Sequence, residues 1–361
     1  ALNAFLTFYY PMQSFSEAYY QGGVKTYNPN WWQALQDQKS AEQASENRRL
    51  ALDQPLIEVS LEQLKQFLKH PCKAFFNQRL DVYFELDNSE QDNDEPFSLD
   101  NLQRYCLKSQ QFEYALEGKS LDALFAQRRA AGELPFGEFA ALIFNKDLEQ
   151  MEDLADLTAS FFVGEIETIQ VDIQFAEKRL IGELSDHCEN GLVRVKPGGI
   201  KGKDILILWL EHLCYCIACG QNLNSSLFGQ ESGIYFEEVP ADYAYKKINE
   251  LIVLYEEGLQ QPLPFFIQSA FAWCNLVHLL QPDCFLLEDL QFATIAEAQK
   301  AALDSFCSER GYCEGADPYI NRCFENLEDY WDQFQPLALK IFMPILSNIS
   351  SIEYAKWDGA E

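Results

Sequence analysis

Four cations lie within ten residues of a chain that is otherwise strongly acidic. They are Arg194, Lys196, Lys201 and Lys203. The 361 residues include 27 Lys and Arg against 56 Asp and Glu, which gives a formal net charge of −29. Cations grouped in this way can contact phosphate oxygens or a charged partner surface. Because a run of charges is also typical of a solvated loop, the cluster predicts either a DNA or partner contact or an ordinary exposed loop.

Glycines around these lysines suggest a phosphate-binding loop at first sight. The segment Gly198-Gly-Ile-Lys-Gly-Lys-Asp204 has the wrong spacing for a Walker A loop and ends in Asp rather than Ser or Thr. Neither Gly-x-Ser-x-Gly nor His-Glu-x-x-His occurs in the chain. We interpret the segment as a lysine-bearing loop.

The cysteines and histidines do not have the spacing of metal ligands. In the run from Cys214 to Cys219, residues two apart on a predicted helix point in different directions, and the three cysteines between 307 and 323 are irregularly spaced. His212 lies on the same apolar helix, which favours a buried core histidine over a catalyst. The eleven cysteines are expected to be reduced thiols, and we predict no metal and no cofactor.

Composition limits the kind of protein this can be. Apolar residues make up 48% of the chain, enough for a large core. No apolar run reaches the roughly 18 residues of a membrane span, and the first residues lack the basic front of a signal peptide. The acidic surface repels a phosphate backbone over about 8 Å, so DNA contact requires a local basic patch or a larger assembly. We expect a cytoplasmic protein without membrane contact, and the start at Ala1 suits a fragment of a longer chain.

Local signals place the first elements. Residues 1–52 are predicted to be an extension or linker, because turn signals are followed there by a polar stretch. Ser60 and Gln63 fit a capping box, and Pro71 ends the following helix near His70. The run Leu80–Phe84 reads as a strand.

The middle and end of the chain predict a layered α/β domain over residues 53–361. Asn190-Gly191 is a strong hairpin signal. Predicted strands cover 167–175, 178–186, 191–196, 227–228 and 234–236, and predicted helices cover 97–158 with a break at 132–135, 205–219, 243–259 and parts of 295–346. Strands and helices in this order are typical of a mixed sheet flanked by helices.

Several of these segments carry a family resemblance. The run from Val59 to Phe76 resembles the opening helix of nuclease domains of the RecB and AddB type. The chain is more similar to the C-terminal region of the RecC family, the gamma chain of exodeoxyribonuclease V, notably over Gly182–Pro197 and Leu208–Tyr215. This resemblance implies a PD-(D/E)xK nuclease-like fold with a central mixed sheet, flanking helices and extra helices. Residues 1–52 would then connect to a preceding helicase-like region.

The resemblance also implies a function. A RecC subunit assembles with RecB and RecD into the RecBCD helicase–nuclease, a heterotrimer that processes double-strand breaks. Its C-terminal region would be a non-catalytic scaffold that contacts RecD and lies near the point where the duplex is split. Two alternatives stay open, namely an active metal-dependent nuclease with rearranged carboxylates and an unrelated binding module.

The resemblance further implies that the nuclease site is degenerate. Active members have Gly-x-hydrophobic-Asp on one strand and Asp/Glu-x-Lys on the next. Gly182-Glu-Leu-Ser185 puts Ser185 at the first aspartate, and Val193-Arg-Val-Lys196 puts Arg194 at the second carboxylate while keeping Lys196. Strand alternation points Arg194 and Lys196 to one face. Rescue would need other carboxylates, for which the candidates are Glu183, Asp186 and Glu211.

An aromatic-rich start is the last feature. Phe5 to Phe15 and Trp31-Trp32 precede the compact domain. They predict either an exposed apolar patch that faces a partner or a segment that packs onto the domain itself.

Overall fold

The computed structural model describes residues 6, 10–12, 16–19, 49–52, 55–84, 99–219, 223–282, 284–307, 313–352 and 354. The chain divides into two compact units, Ala1–Ala51 and Leu52–Glu361. In the first unit a short 3-10 turn covers Glu17–Tyr19. Phe5, Phe15 and Trp31-Trp32 lie outside the described residues, so the aromatic patch stays a prediction.

Within the described residues, seven strands of the second unit form one mixed sheet. They are β1 (Glu58–Ser60), β2 (Glu167–Phe175), β3 (Lys178–Cys188), β4 (Gly191–Val195), β5 (Ser225–Phe228), β6 (Gly233–Phe236) and β7 (Ile349–Ile352). The order is β1-β3-β4-β5-β6-β7, with β2 on the other edge of β3. The pairs β1–β3 and β4–β5 are parallel and the others are antiparallel. The strands predicted between residues 167 and 236 and the Asn190-Gly191 hairpin are confirmed, whereas β1 and β7 were not predicted.

Helices cover both faces of this sheet. The described helices are α1 (Leu61–Lys69), α2 (Pro71–Ala74), α3 (Asn101–Leu116), α4 (Leu121–Ala130), α5 (Phe139–Asn145), α6 (Leu148–Ala159), α7 (Gly202–Ala218), α8 (Ala241–Gln260), α9 (Ile267–Leu280), α10 (Phe292–Phe306), α11 (Pro318–Cys323) and α12 (Trp331–Leu346). None of them is long and apolar enough to cross a membrane. The predicted mixed α/β class, with a central sheet flanked by helices, is confirmed.

Two neighbouring residues on β4 show how the layers divide. Leu192 belongs to a large core that contains Phe67 of α1 and Tyr215 of α7. Val193 belongs to a second core with Met151 of α6 and Phe228 of β5. Because successive side chains of a strand point to opposite faces, α1 and α7 cover one face and α6 covers the other. Arg194 therefore lies on the α7 face.

Local capping explains how α1 and α2 begin. Ser60 Oγ accepts a hydrogen bond from the Gln63 amide over 3.1 Å, and Gln63 Oε1 accepts one from the Ser60 amide over 3.1 Å. The predicted capping box is thus confirmed. α1 ends at Lys69, and His70 Nδ1 accepts from the Lys73 amide at the start of α2. The predicted end of the helix before Pro71 is also confirmed.

The strand predicted at Leu80–Phe84 was wrong. A π-helical turn at Phe75–Arg79 runs into irregular backbone there. Asp81 has a φ of 53°, and the Val82 amide donates to the Phe76 carbonyl over 2.9 Å. The backbone donor is therefore used locally, and the left-handed residue is incompatible with extended strand geometry.

Close backbone approach fixes α1 against β3. A Cβ on Gly182 would lie 2.5 Å from Cβ of Leu61. Since real side-chain contacts do not come that close, only glycine lets the first turn of α1 pack on β3 at this depth. Gly182 therefore has a packing role in this fold.

Candidate functional site: a cation-filled pocket and a lysine-lined cleft

Arg194 joins β4 to two other segments. Its Nε donates to Oε2 of Glu211 on α7 over 2.9 Å. Its Nη1 donates to the Ser185 carbonyl oxygen over 2.6 Å and to Oδ2 of Asp186 over 2.7 Å. Three oxygens from a helix, a strand backbone and a strand side chain thus surround one guanidinium. Charge-assisted bonds of this length are among the stronger hydrogen bonds of a protein.

A bulge in β3 brings Asp186 to this position. Ile169 of β2 pairs with Leu184 of β3, and Glu167 pairs with His187. The pairing therefore moves by two residues along β2 and by three along β3, so β3 contains one extra residue. Asp186 has a φ of 58°, which is left-handed and costly for a residue other than glycine. Bulges re-aim side chains, and here the bulge puts the Asp186 carboxylate beside Arg194.

Glu211 is buried and is shared by two cations. Its side chain is 7% exposed, and Lys65 Nζ of α1 lies 2.6 Å from its Oε1 while Arg194 takes Oε2. Burial by itself raises the pKa of Glu211, but the charges of Arg194 and Lys65 outweigh burial and hold the pKa below its usual value. Glu211 is therefore a carboxylate at neutral pH, with both oxygens occupied.

Lys196 is also paired inside the domain. Its Nζ lies 2.5 Å from Oδ2 of Asp204 in the first turn of α7. The same Asp204 oxygen accepts from the Lys201 amide over 2.8 Å. This carboxylate thus caps the start of α7 and neutralises the neighbouring lysine.

Beside the paired cations lies a cleft with exposed lysines. One part, of about 780 Å³, is lined by Lys69, Lys201 and Lys203 together with Arg194 and Lys196. A second part, of about 960 Å³, shares those three lysines and adds Lys73 of α2. Lys69, Lys73, Lys201 and Lys203 are exposed, and none of them forms a salt bridge with a carboxylate of the described residues.

The comparisons with known proteins decide the family. The model of the RecC C-terminal domain matches residues 57–278, more than half of the chain. The chain belongs to the RecC family. The RecBCD enzyme subunit RecC of Escherichia coli K12 is 32% identical over 294 residues, which are 79% of this chain and 26% of the relative.

Other relatives agree. The RecBCD enzyme subunit RecC from Buchnera aphidicola subsp. Acyrthosiphon pisum is 26% identical over 301 residues, which are 81% of this chain and 27% of the relative. The subunit from Mycobacterium tuberculosis H37Rv is 23% identical over 61% of this chain and 21% of its own length. The chain spans about a quarter of the length of the curated relatives it matches.

In this RecC-family domain, the four cations of the sequence cluster divide into two pairs. Arg194 and Lys196 are bound by internal carboxylates, whereas Lys201 and Lys203 are exposed in the cleft. Ser185 contributes its carbonyl to Arg194, and its hydroxyl donates to Asp186 over 3.0 Å. All of these residues line or border one region of the domain.

Sequence reasoning missed the lysines of α1 and α2. Lys65 and Lys69 lie four residues apart on α1, and Lys73 follows after four more residues. Side chains four apart share a helix face, so the spacing of Lys65 and Lys69 could have indicated a basic face on α1. The burial of Glu211 against Lys65 had no signal in the sequence, because it depends on the packing of α1 against α7.

The buried histidine follows the expectation. His212 of α7 is fully buried, with Nδ1 2.9 Å from Ser225 Oγ and Nε2 3.0 Å from the Glu237 carbonyl oxygen. A carbonyl only accepts, so Nε2 donates and Nδ1 accepts from the serine. The prediction of a satisfied core histidine is confirmed.

All eleven cysteines are free, and six of them are buried.

Proposed function

We propose that residues 53–361 form a non-catalytic, PD-(D/E)xK nuclease-like domain that serves as a scaffold in a RecBCD-type helicase–nuclease of the cytoplasm. Residues 1–52 connect it to a preceding helicase-like region. In this proposal the domain contacts RecD, assembles with RecB and RecD, and lies near the DNA fork. The family match supports the assembly, since the relatives are named as RecC subunits of the RecBCD enzyme.

The observation that carries the non-catalytic assignment is the position of Arg194. A nuclease of this type holds a divalent metal with carboxylates, because hard cations prefer oxygen ligands. Here a guanidinium occupies the space between Asp186, Glu211 and the Ser185 carbonyl. A fixed cation about 4 Å from a divalent metal opposes metal binding by several kcal/mol, even at an effective dielectric constant of about 20.

The alternative of an active nuclease with rearranged carboxylates has less support. Both oxygens of Glu211 are taken by Lys65 and Arg194. Glu183 Oε1 accepts a hydrogen bond from Gln170 Nε2 over 2.8 Å on the exposed side of β3. Among the described residues, no group of three His, Cys, Asp or Glu could hold a metal ion.

DNA contact is proposed for the cleft rather than for the paired cations. Lys69, Lys73, Lys201 and Lys203 are available to phosphate oxygens. Exposed Tyr83 and Tyr105 line the same cleft, one in each part, and can stack on unpaired bases. Since the net charge of the chain opposes binding, the interaction is expected to be weak in isolation and to matter within the assembly.

The test is a cleavage assay on the purified chain. Labelled single-stranded, duplex and forked DNA are incubated with magnesium or manganese, and we expect no cleavage. Metal-dependent cleavage that Glu183→Ala abolishes would contradict the non-catalytic assignment. Partner contact is tested separately by reconstituting RecBCD with a RecC subunit that contains or lacks the segment corresponding to residues 53–361 of this chain. We expect the complex without this segment to lose RecD.

A further inference from the structure

The Arg194 guanidinium is bound differently from two other paired arginines of the domain. Arg104 places Nε and Nη2 on the two oxygens of Asp147, and Arg179 places Nε and Nη2 on the two oxygens of Asp172. Each of these is a fork of two hydrogen bonds to one carboxylate, and Nη1 of Arg179 also lies 3.9 Å from Glu58 Oε2. Arg194 instead divides its donors among three oxygens that come from three different groups.

Three converging oxygens of this kind match the ligand preference of a hard metal ion. Magnesium and manganese take carboxylate and carbonyl oxygens and complete their coordination with water. The Glu211 carboxylate is buried, whereas the side chain of Asp186 is 49% exposed. A cation could therefore enter from the Asp186 side and keep several of its waters there.

The charge balance shows what removal of the guanidinium does. Asp186 and Glu211 carry two negative charges, and Lys65 and Arg194 carry two positive charges. Without Arg194 the group has one net negative charge, because Lys65 still pairs with Oε1 of Glu211 while Asp186 and the buried Oε2 of Glu211 lose their cation. A buried carboxylate oxygen that has lost its donor is unfavourable, and together with the freed Asp186 carboxylate it favours uptake of another cation.

We propose that Asp186, Glu211 and the Ser185 carbonyl form a cation site whose resident cation is Arg194, and that this site binds a divalent metal once the guanidinium is removed. The inference rests on the proposed non-catalytic function, because it identifies what fills the pocket. In the native chain Arg194 takes the structural place of an ion, joining the bulge of β3 to α7. The left-handed Asp186 is held in place by this contact.

The test uses the full chain and manganese alone. Arg194→Ala is expected to bind one manganese ion saturably, measured by titration calorimetry and by loss of the free-ion electron paramagnetic resonance signal. The wild-type chain and the double variant Arg194→Ala/Glu211→Gln should lack this site. Arg179→Ala is the matched control, because it removes the same charge from an exposed fork and should add no site.

Folding of the variant is monitored with the binding. If Arg194→Ala folds poorly, manganese is expected to restore its circular dichroism spectrum and raise its melting temperature, and not those of the double variant. Absence of binding in a folded variant would overturn the proposal, and so would a poorly folded variant whose folding manganese does not improve. Manganese binding at this site by the wild-type chain would also overturn the proposal. DNA cleavage by the wild-type chain would instead contradict the proposed function, so the two failures are distinguishable.

Discussion

Lys65 and Glu211 are 146 positions apart in the chain, and their side chains lie 2.6 Å from each other. The pair connects α1 to α7. Arg194 takes the second Glu211 oxygen, so one carboxylate ties two helices and a strand together. This arrangement makes the ionised state of Glu211 important for folding as well as for the chemistry of the pocket.

Replacement of Glu211 by Gln should destabilise the domain. The change leaves Lys65 and Arg194 without their shared counter-charge, and breaking a buried ion pair costs about 3 to 5 kcal/mol at neutral pH. Urea unfolding followed by circular dichroism measures the difference. Asp172→Asn, in the exposed pair with Arg179, is the control and should have a much smaller effect.

The Glu211 effect should also depend on pH. Because the pKa of Glu211 is lowered in the folded chain, its contribution is present at neutral pH and is lost as the pH falls through that lowered value. The gap in stability between the wild-type chain and Glu211→Gln should therefore narrow below about pH 4, the range of an ordinary carboxyl group. A gap that is constant down to about pH 3 would contradict this assignment.

His212 should make the free energy of unfolding depend on pH in a second range, above that of Glu211. Burial lowers the pKa of His212 from 6.5 to about 4. Between these values the unfolded chain binds a proton and the folded chain does not, so the free energy of unfolding falls as the pH falls. By linkage the loss attributable to His212 is about 2 kcal/mol between pH 7 and pH 5. His212→Gln should remove this loss in urea titrations, and identical slopes in both proteins would refute it.

The lysines of the cleft should govern binding of single-stranded DNA. We expect the fourfold alanine variant of Lys69, Lys73, Lys201 and Lys203 to weaken binding measured by fluorescence anisotropy at low salt. The slope of log affinity against log salt should fall by about 0.7 for each phosphate interaction that the variant removes.

A second fourfold variant controls for net charge in that experiment. It carries alanine at four lysines that are exposed and do not line the cleft, namely Lys146, Lys246, Lys300 and Lys340. Both variants change the charge of the chain by the same amount, so only the position of the lysines differs. Equal affinities for the two variants would place the DNA contact elsewhere.

Gly182 should not tolerate a methyl group. Its Cβ would meet Leu61 at 2.5 Å, so Gly182→Ala forces α1 away from β3, and overpacking of this kind costs about 1 to 3 kcal/mol. Gly199→Ala is the matched control, since no atom lies within 4 Å of its Cβ position. Thermal unfolding of both variants measures the difference, and an unchanged melting temperature for Gly182→Ala would show that the helix can move freely.

Much of the secondary structure follows from signals a few residues long. The Ser60–Gln63 capping box, the stop before Pro71 and the Asn190-Gly191 hairpin depend on neighbours in the chain, and each is present in the structure. The error at Leu80–Phe84 has the same origin. Its apolar residues suggested a strand, but the local bond from Val82 to Phe76 and the left-handed Asp81 exclude one.

The sequence by itself determined the mixed α/β class, the main strands and helices, and the burial of His212. Tertiary structure alone decided the partners of Arg194, the separation of paired from exposed cations, and the contribution of Lys65 and Lys69 to the same region. The physical reason is the distance along the chain over which each interaction acts. Capping and strand alternation act over a few residues, whereas an ion pair requires two distant segments to be packed together, and no local pattern records that distance.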